Sequence, residues 1–258
     1  MSTDLTFFTN EPKAALVDRF KSTLRAVRYF DVLVGYFRTS GFHQLADSLE
    51  SVEKIRILVG LNVDQKTFEL IDTVRIQTNI DFTSHKDTSN AAMEAAVTEI
   101  DASSDDFLTE YGIKKFIEFL STDCPNPEED KANGGNGKKL EFRAYPSGNI
   151  HAKVYISRYR EEQVSFGSVI TGSSNFSHSG LIGNREFNVE LKNRGDVDFA
   201  LNQFEDLWKD GVDISEKFVD TVRTKTWLNE DISPYQLYLK MLYEYLKEDI
   251  NMDQEISI

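Results

Sequence analysis

Apolar positions along this chain follow two periods, and the switch between them marks the elements. Asp31–Phe37 (DVLVGYF) is apolar on both faces, the pattern of a buried strand. Lys54–Asn62 (KIRILVGLN) has the same character. Between them Phe42, Leu45, Leu49 and Val52 recur at spacings of three and four, which predicts an amphipathic helix. Glu11–Val27 predicts another, with Pro12 near its start. Strand, helix and strand with buried strands is the sequence form of a βαβ unit. Residues 81–130 are rich in Ser, Thr, Asp and Glu, with helix formers in two stretches. The segment DCPNPEEDKANGGNGKK that follows lacks periodicity and is expected to be an exposed loop between two halves. Strand-like runs then occupy 140–146, 150–158, 164–174 and 186–193. DVDFALNQFEDLWKDG predicts a helix with Phe199, Phe204, Leu207 and Trp208 inward and Gly211 at its end. From about Ile214 the chain reads as helical, with Ser233 as an N-cap and Pro234 at the first helical position. The fold class is α/β, one main sheet flanked by helices.

Composition narrows the setting. The 258 residues are 40% hydrophobic, enough for a real core. A single Cys, Cys124, excludes an intramolecular disulfide framework and a Cys-based zinc site, and is expected to be an inert thiol. The first residues, MSTDLTFFTNEPK, lack the apolar centre of a secretory signal. No stretch approaches the roughly 18 apolar residues of a membrane span. The expectation is a soluble, cytoplasmic protein of a reducing compartment with no membrane partner. The formal charge of −14 argues against nonspecific coating of nucleic acid. That charge is uneven, because residues 195–258 hold 15 acids and 6 bases. Residues 140–160 are locally basic, with Arg143, Lys153, Arg158 and Arg160 against Glu141.

The candidate chemistry lies in 150–190. His151 and Lys153 are two apart on a strand and share a face. Gly172 permits close backbone approach at the end of the neighbouring strand. Ser173 and Asn175 add hydroxyl and amide groups. A His, a Lys and an Asn converging on one face suit a tetrahedral anion: Lys gives charge, Asn hydrogen bonds, and His attack or protonation. Glu186 on the next strand is placed to hold the second imidazole nitrogen; Glu190, on the same face, is its rival. His43 and His85 read as ordinary helix and loop residues. His178 and Ser177 read as loop residues next to the site. No dedicated metal cluster is evident, and none is expected.

His151-Ala152-Lys153, Gly172-Ser173-Ser174-Asn175 and Asn184-Arg185-Glu186 together resemble the H-x-K, G-S-x-N and N-x-E elements of the phospholipase D superfamily. The resemblance spans roughly residues 5–210. It departs in two places: Arg158 stands where family members usually carry Asp, and Lys153 to Gly172 is a longer gap. A longer hairpin there is the expectation. The resemblance implies a three-layer α/β/α sandwich with a mixed central sheet over 1–212, and a helical C-terminal extension over 213–258. It also implies phosphodiester hydrolysis without metal or cofactor, through a phosphohistidine. One motif copy implies a homodimer, with His151 as nucleophile in one subunit and general acid in the other. Lys153 and Asn175 would bind phosphate oxygens, assisted by Ser173 within the Gly172–Asn175 turn that also holds Ser174. Glu186 would orient His151. Arg143, Tyr145 and Arg185 are candidate contacts to the substrate backbone. WLNEDISPYQLYLKMLYEYL resembles the segment joining such a module to Swi/Snf-type helicases in some bacterial proteins. No P-loop string occurs, so a helicase would be a following domain or a separate partner. The implied function is a DNA nuclease of a helicase-linked or restriction and defence system. The rival readings are a catalytically weak DNA- or protein-binding module and, less favoured, a lipid phosphodiesterase.

Overall fold

The computed structural model describes residues 5–9, 15–35, 37–60, 88–94, 97, 107–146, 150–161, 163–225, 238 and 242. Its centre is an eight-stranded mixed sheet. The strands are β1 (Leu5–Thr9), β2 (Val27–Val34), β3 (Lys54–Gly60), β4 (Leu140–Tyr145), β5 (Lys153–Tyr159), β6 (Gly167–Gly172), β7 (Phe187–Leu191) and β8 (Val212–Asp213). Their order is β1-β7-β6-β5-β2-β3-β4-β8. β2, β3 and β4 run parallel. β1, β7, β6 and β5 form an antiparallel half that meets the parallel half where β5 pairs antiparallel with β2. The longer hairpin expected between Lys153 and Gly172 is present, with β5 and β6 joined through residues 160–166.

The βαβ reading of the first sixty residues holds in outline. The first helix is shorter than its apolar pattern, α1 covering Leu16–Thr23. A 3₁₀ turn at Leu24–Ala26 follows, and Val27 already belongs to β2. The connection from β2 to β3 is two short helices, α2 (Thr39–His43) and α3 (Ala46–Leu49), in place of one continuous helix. The apolar positions Phe42, Leu45, Leu49 and Val52 are nonetheless all buried, since broken helical turns still turn one face inward. α4 (Phe107–Ser121) lies in the middle region, and α5 (Pro127–Ala132) interrupts the segment expected to be a loop. Pro127 at the helix start and Glu128, Glu129 and Asp130 in its first turn account for α5.

Two apolar layers lie on opposite faces of the sheet. On one face Phe20 of α1 packs edge-on against Phe30 of β2 and Tyr155 of β5. Phe42, Phe116 of α4, Phe142 of β4 and Phe218 of α7 (Ser215–Lys225) extend that cluster. On the other face α6 (Arg194–Asp210) covers β4, β5 and β6 through Val197, Phe204 and Trp208. Asn193 caps α6, its side chain accepting from the Gly195 amide. Leu207 is partly buried as expected, but Phe199 is 67% exposed. It lies about 200° around the helix from Val197, so the two cannot both face the sheet.

The structure also adds elements that the pattern did not reveal. β1 is an edge strand paired to β7, and β8 pairs with β4. Both are short, and neither alternates clearly. α7 packs on β4 and α4, so the described start of the C-terminal extension adheres to the sheet domain. Ser233 and Pro234 lie outside the described residues, as does most of the Tyr- and Leu-rich segment.

The junction of the two halves is sealed by charge. Asp31 of β2 is 1% exposed and lies between Arg56 of β3 at 2.6 Å and Arg158 of β5 at 3.0 Å. Arg56 also reaches Glu205 of α6 at 2.7 Å and stacks over Phe204 and Trp208. Arg158 lies over the Tyr29 ring. Burial alone would raise the Asp31 carboxyl, but the two guanidiniums outweigh it and hold it below the ordinary value of 3.8. A carboxyl lowered on folding gives stability that is present above its unfolded value and is lost as pH falls through the folded one. Unfolding measured between pH 7 and pH 2 should therefore show stability falling below about pH 4. Asp31→Ala should flatten that acid limb and cost about 1–3 kcal/mol at neutral pH, because Arg158 loses its carboxylate partner while Arg56 keeps Glu205.

Candidate active site

The candidate residues gather at one end of the sheet. β2, β3 and β6 finish there, whereas β5 and β7 begin there. The approach to β5 crosses the ends of β2 and β3. A Cβ on Gly35 or Gly60 would come within 2.7 or 2.8 Å of the Ile150 carbonyl oxygen. Glycine at both positions therefore lets the Ile150 backbone lie against the strand ends, and His151 follows it immediately. The Gly35 amide donates to the Ala152 carbonyl at 2.9 Å, extending the β2–β5 pairing to the base of the site.

His151 is exposed, and Lys153 is 9% exposed. The Lys153 Nζ lies 3.2 Å from His151 Nδ1 and 3.1 Å from Nε2, so the ammonium stands against the imidazole ring. It also donates to the His151 carbonyl at 3.3 Å. Burial lowers the Lys153 ammonium, and the field of Glu186 works in the opposite direction. Lys153 thus feels Glu186, the residue just before β7.

Gly172 ends β6. The register Val154↔Thr171, continued one step, brings Gly172 level with Lys153. On its other side Gly172 pairs with Asn188 of β7. A Cβ at Gly172 would overlap the Phe187 carbonyl oxygen and the Asn188 side chain. The Ser173 amide donates to Phe187 O and the Phe187 amide donates to Ser173 Oγ, both at 3.1 Å. The Ser173 hydroxyl in turn donates to Glu186 Oε2. Asn175 is half-buried, and its Oδ1 is buried without a hydrogen-bond partner. Ser174 is fully buried. Phe176 then turns into the core and stacks on Phe37, anchoring the chain just past the turn.

The motif elements predicted from sequence therefore meet at one strand end. Glu186 is near the site, but its hydrogen bond within this chain is with Ser173 rather than with His151. Its rival Glu190 is fully buried and ion-paired with Arg19 and Lys192. Ser177 is committed to the π-turn Ser179–Gly183, accepting from the Gly180 amide at 3.1 Å. His178 is exposed beside that turn, its backbone amide 3.4 Å from Ser40 Oγ. Arg143, expected near substrate, is taken up by Glu141 at 2.6 Å and by the Trp208 carbonyl at 2.9 Å. Tyr145 packs into the layer under α6. Arg185 is exposed. His43 lies half-buried on α2, and His85 lies outside the described residues. The Cys124 thiol is buried, and burial pushes it up.

Comparison with known proteins adds a family. The model of a family described as "Cardiolipin synthase, PLD-like domain" matches residues 125–208. Over that segment the chain is similar to a phospholipase D-like domain. The match runs from α5 through most of α6 and includes every motif residue named above. Similar solved structures include the phospholipase D family member Nuc from Salmonella typhimurium, at 15% identity and a TM-score of 0.41, over 81% of this chain and 96% of that one. NucT from Helicobacter pylori aligns at 11% identity and a TM-score of 0.40, over 81% and 98%. Phosphatidylserine synthase from Haemophilus influenzae Rd KW20 aligns at 11% identity and a TM-score of 0.45, over 96% and 46%. No curated protein matches in sequence.

Gly172 gives the sharpest local test of this geometry. Gly172→Ala places a methyl group against backbone of β7, which cannot move as a side chain can. The variant should lose about 1–3 kcal/mol of stability in denaturant unfolding. By contrast, Gly183→Ala, whose Cβ would meet nothing closer than 3.8 Å, should change stability little.

Proposed function

We propose that this chain is a metal-independent phosphodiesterase, acting on DNA through a phosphohistidine at a site shared by two copies of the chain. The observation that carries the reading is the Lys153 ammonium held 3.1–3.2 Å from the His151 ring nitrogens at an exposed strand end. A cation there attracts a phosphate and raises its electrophilicity beside a nucleophilic imidazole. In this reading Asn175 donates to a phosphate oxygen, Ser173 assists by turning its one hydroxyl proton from Glu186 to phosphate, and Gly172 and Ser174 shape the turn. One His151 attacks phosphorus and expels an alcohol. The His151 of the second copy gives that alcohol its proton and then takes one from the water that releases the phosphohistidine. The unit 1–212 is the phosphodiesterase domain, and 213–258 is a helical extension toward a helicase domain or partner. DNA is favoured as substrate by the resemblance of the motif elements to nuclease and helicase-linked members of the phospholipase D superfamily.

The test is cleavage of an activated diester such as bis(p-nitrophenyl) phosphate, and of single- and double-stranded DNA, with a chelator present. Wild type should turn over, and His151→Ala should lose on the order of 10³-fold or more. A reaction stopped in alkaline denaturant should carry on His151 the phosphoryl group with its remaining ester. Light scattering should give a particle of twice the 29.5 kDa chain mass. Binding of DNA without turnover would favour a binding module. Turnover on liposomes but not on DNA would favour a lipid phosphodiesterase.

A further inference from the structure

We infer that Tyr155 and Asn188 are positioning residues of this site, acting through Ser174 to fix the Gly172–Asn175 turn relative to Lys153. The inference rests on the phosphodiesterase reading and adds residues outside its motif elements.

Ser174 is the inward residue of the turn and is fully buried. Two side chains from the two strands flanking β6 hold it. The Tyr155 hydroxyl of β5 donates to the Ser174 carbonyl at 2.8 Å. The Asn188 Nδ2 of β7 donates to the Ser174 hydroxyl at 2.9 Å. Tyr155 and Asn188 are each 1% exposed, so both bonds are shielded from water. The carbonyl held by Tyr155 belongs to the peptide unit joining Ser174 to Asn175. Fixing its direction fixes the backbone from which the Asn175 amide projects. Tyr155 also follows Lys153 by two residues and shares its face, so one strand presents the cation and sets the turn opposite it. A phosphate gripped by Lys153 on one side and by Asn175 on the other needs that separation held within a fraction of an ångström.

Asn188 has a feature that packing alone does not explain. Its Oδ1 is buried with no hydrogen-bond partner. It lies where a Cβ on Gly172 would touch it at 2.5 Å. An apolar residue at 188 would leave no such orphan acceptor, and residue types that cost stability in a core are kept where they position a site. The sequence carries only a faint cue, an Asn two residues beyond Glu186 and between the apolar Phe187 and Val189.

The test uses the full chain and three variants: Tyr155→Phe, Ser174→Ala and Asn188→Ala. Tyr155→Phe is the decisive one, because the ring keeps its contacts with Phe20 and Phe176. With bis(p-nitrophenyl) phosphate its kcat should fall about tenfold or more. The shape of the pH–rate profile and the melting temperature should stay close to wild type. Ser174→Ala and Asn188→Ala combined should cost no more than the worse single variant, because both remove one bond. Wild-type kcat in Tyr155→Phe, or rate losses that only track losses of stability, would overturn the inference. Tungstate affinity, measured by calorimetry, separates this failure from failure of the phosphodiesterase reading. If wild type binds tungstate without turning over any diester, that reading falls, and a tenfold weaker affinity in Tyr155→Phe still supports positioning. If wild type neither binds tungstate nor turns over, both fall.

Discussion

The antiparallel pairing of β5 with β2 is the contact on which everything else depends. It joins a parallel half, built from βαβ crossovers, to an antiparallel half built from hairpins. The Asp31 carboxylate binds that seam, because its guanidinium partners come from the strands on either side. A buried carboxylate is tolerable only when opposite charge and hydrogen bonds surround it. Both arginines answer that need, and their other surfaces rest on aromatic rings. Arg158, which looked like a defect in the motif, is therefore a structural counter-ion.

This seam also explains where the candidate site lies. At the seam β2 ends and β5 begins, so neighbouring strands leave a step at the sheet end. Gly35 and Gly60 let the Ile150 backbone sit on that step. His151 then rises from it into solvent, while Lys153, the first residue of β5, is anchored beneath it. The imidazole is free to react, and the cation is fixed. Across β6 the Gly172 gap brings β7 close, which lets Glu186 and Asn188 reach the same turn from behind.

Much of this was legible along the chain, for reasons that differ by element. Buried strands announce themselves by β-branched and aromatic residues, so β2, β3, β4, β5, β6 and β7 were found to within a few residues. The approach of His151 to Lys153 was expected from their spacing of two, although β5 itself begins at Lys153 and His151 lies just ahead of it. What local pattern missed was short or held by distant partners. β1 and β8 exist because β7 and β4 offer them hydrogen bonds. Phe199 was assigned inward on hydrophobicity, whereas helix geometry gave that face to Val197, Phe204 and Trp208.

By itself the sequence determined the α/β class, the motif elements and the strand ends on which they lie. Those follow from interactions between near neighbours, whose spacing is written in the chain. Tertiary structure decided the partnerships. It gave Glu186 to Ser173, Glu190 to Arg19 and Arg143 to Glu141. It also gave Arg158 to Asp31 and made Tyr155 and Asn188 joint holders of Ser174. A charged or polar side chain can bond any complementary group within reach. Which group that is depends on strand order and register, set by the packing of the whole sheet.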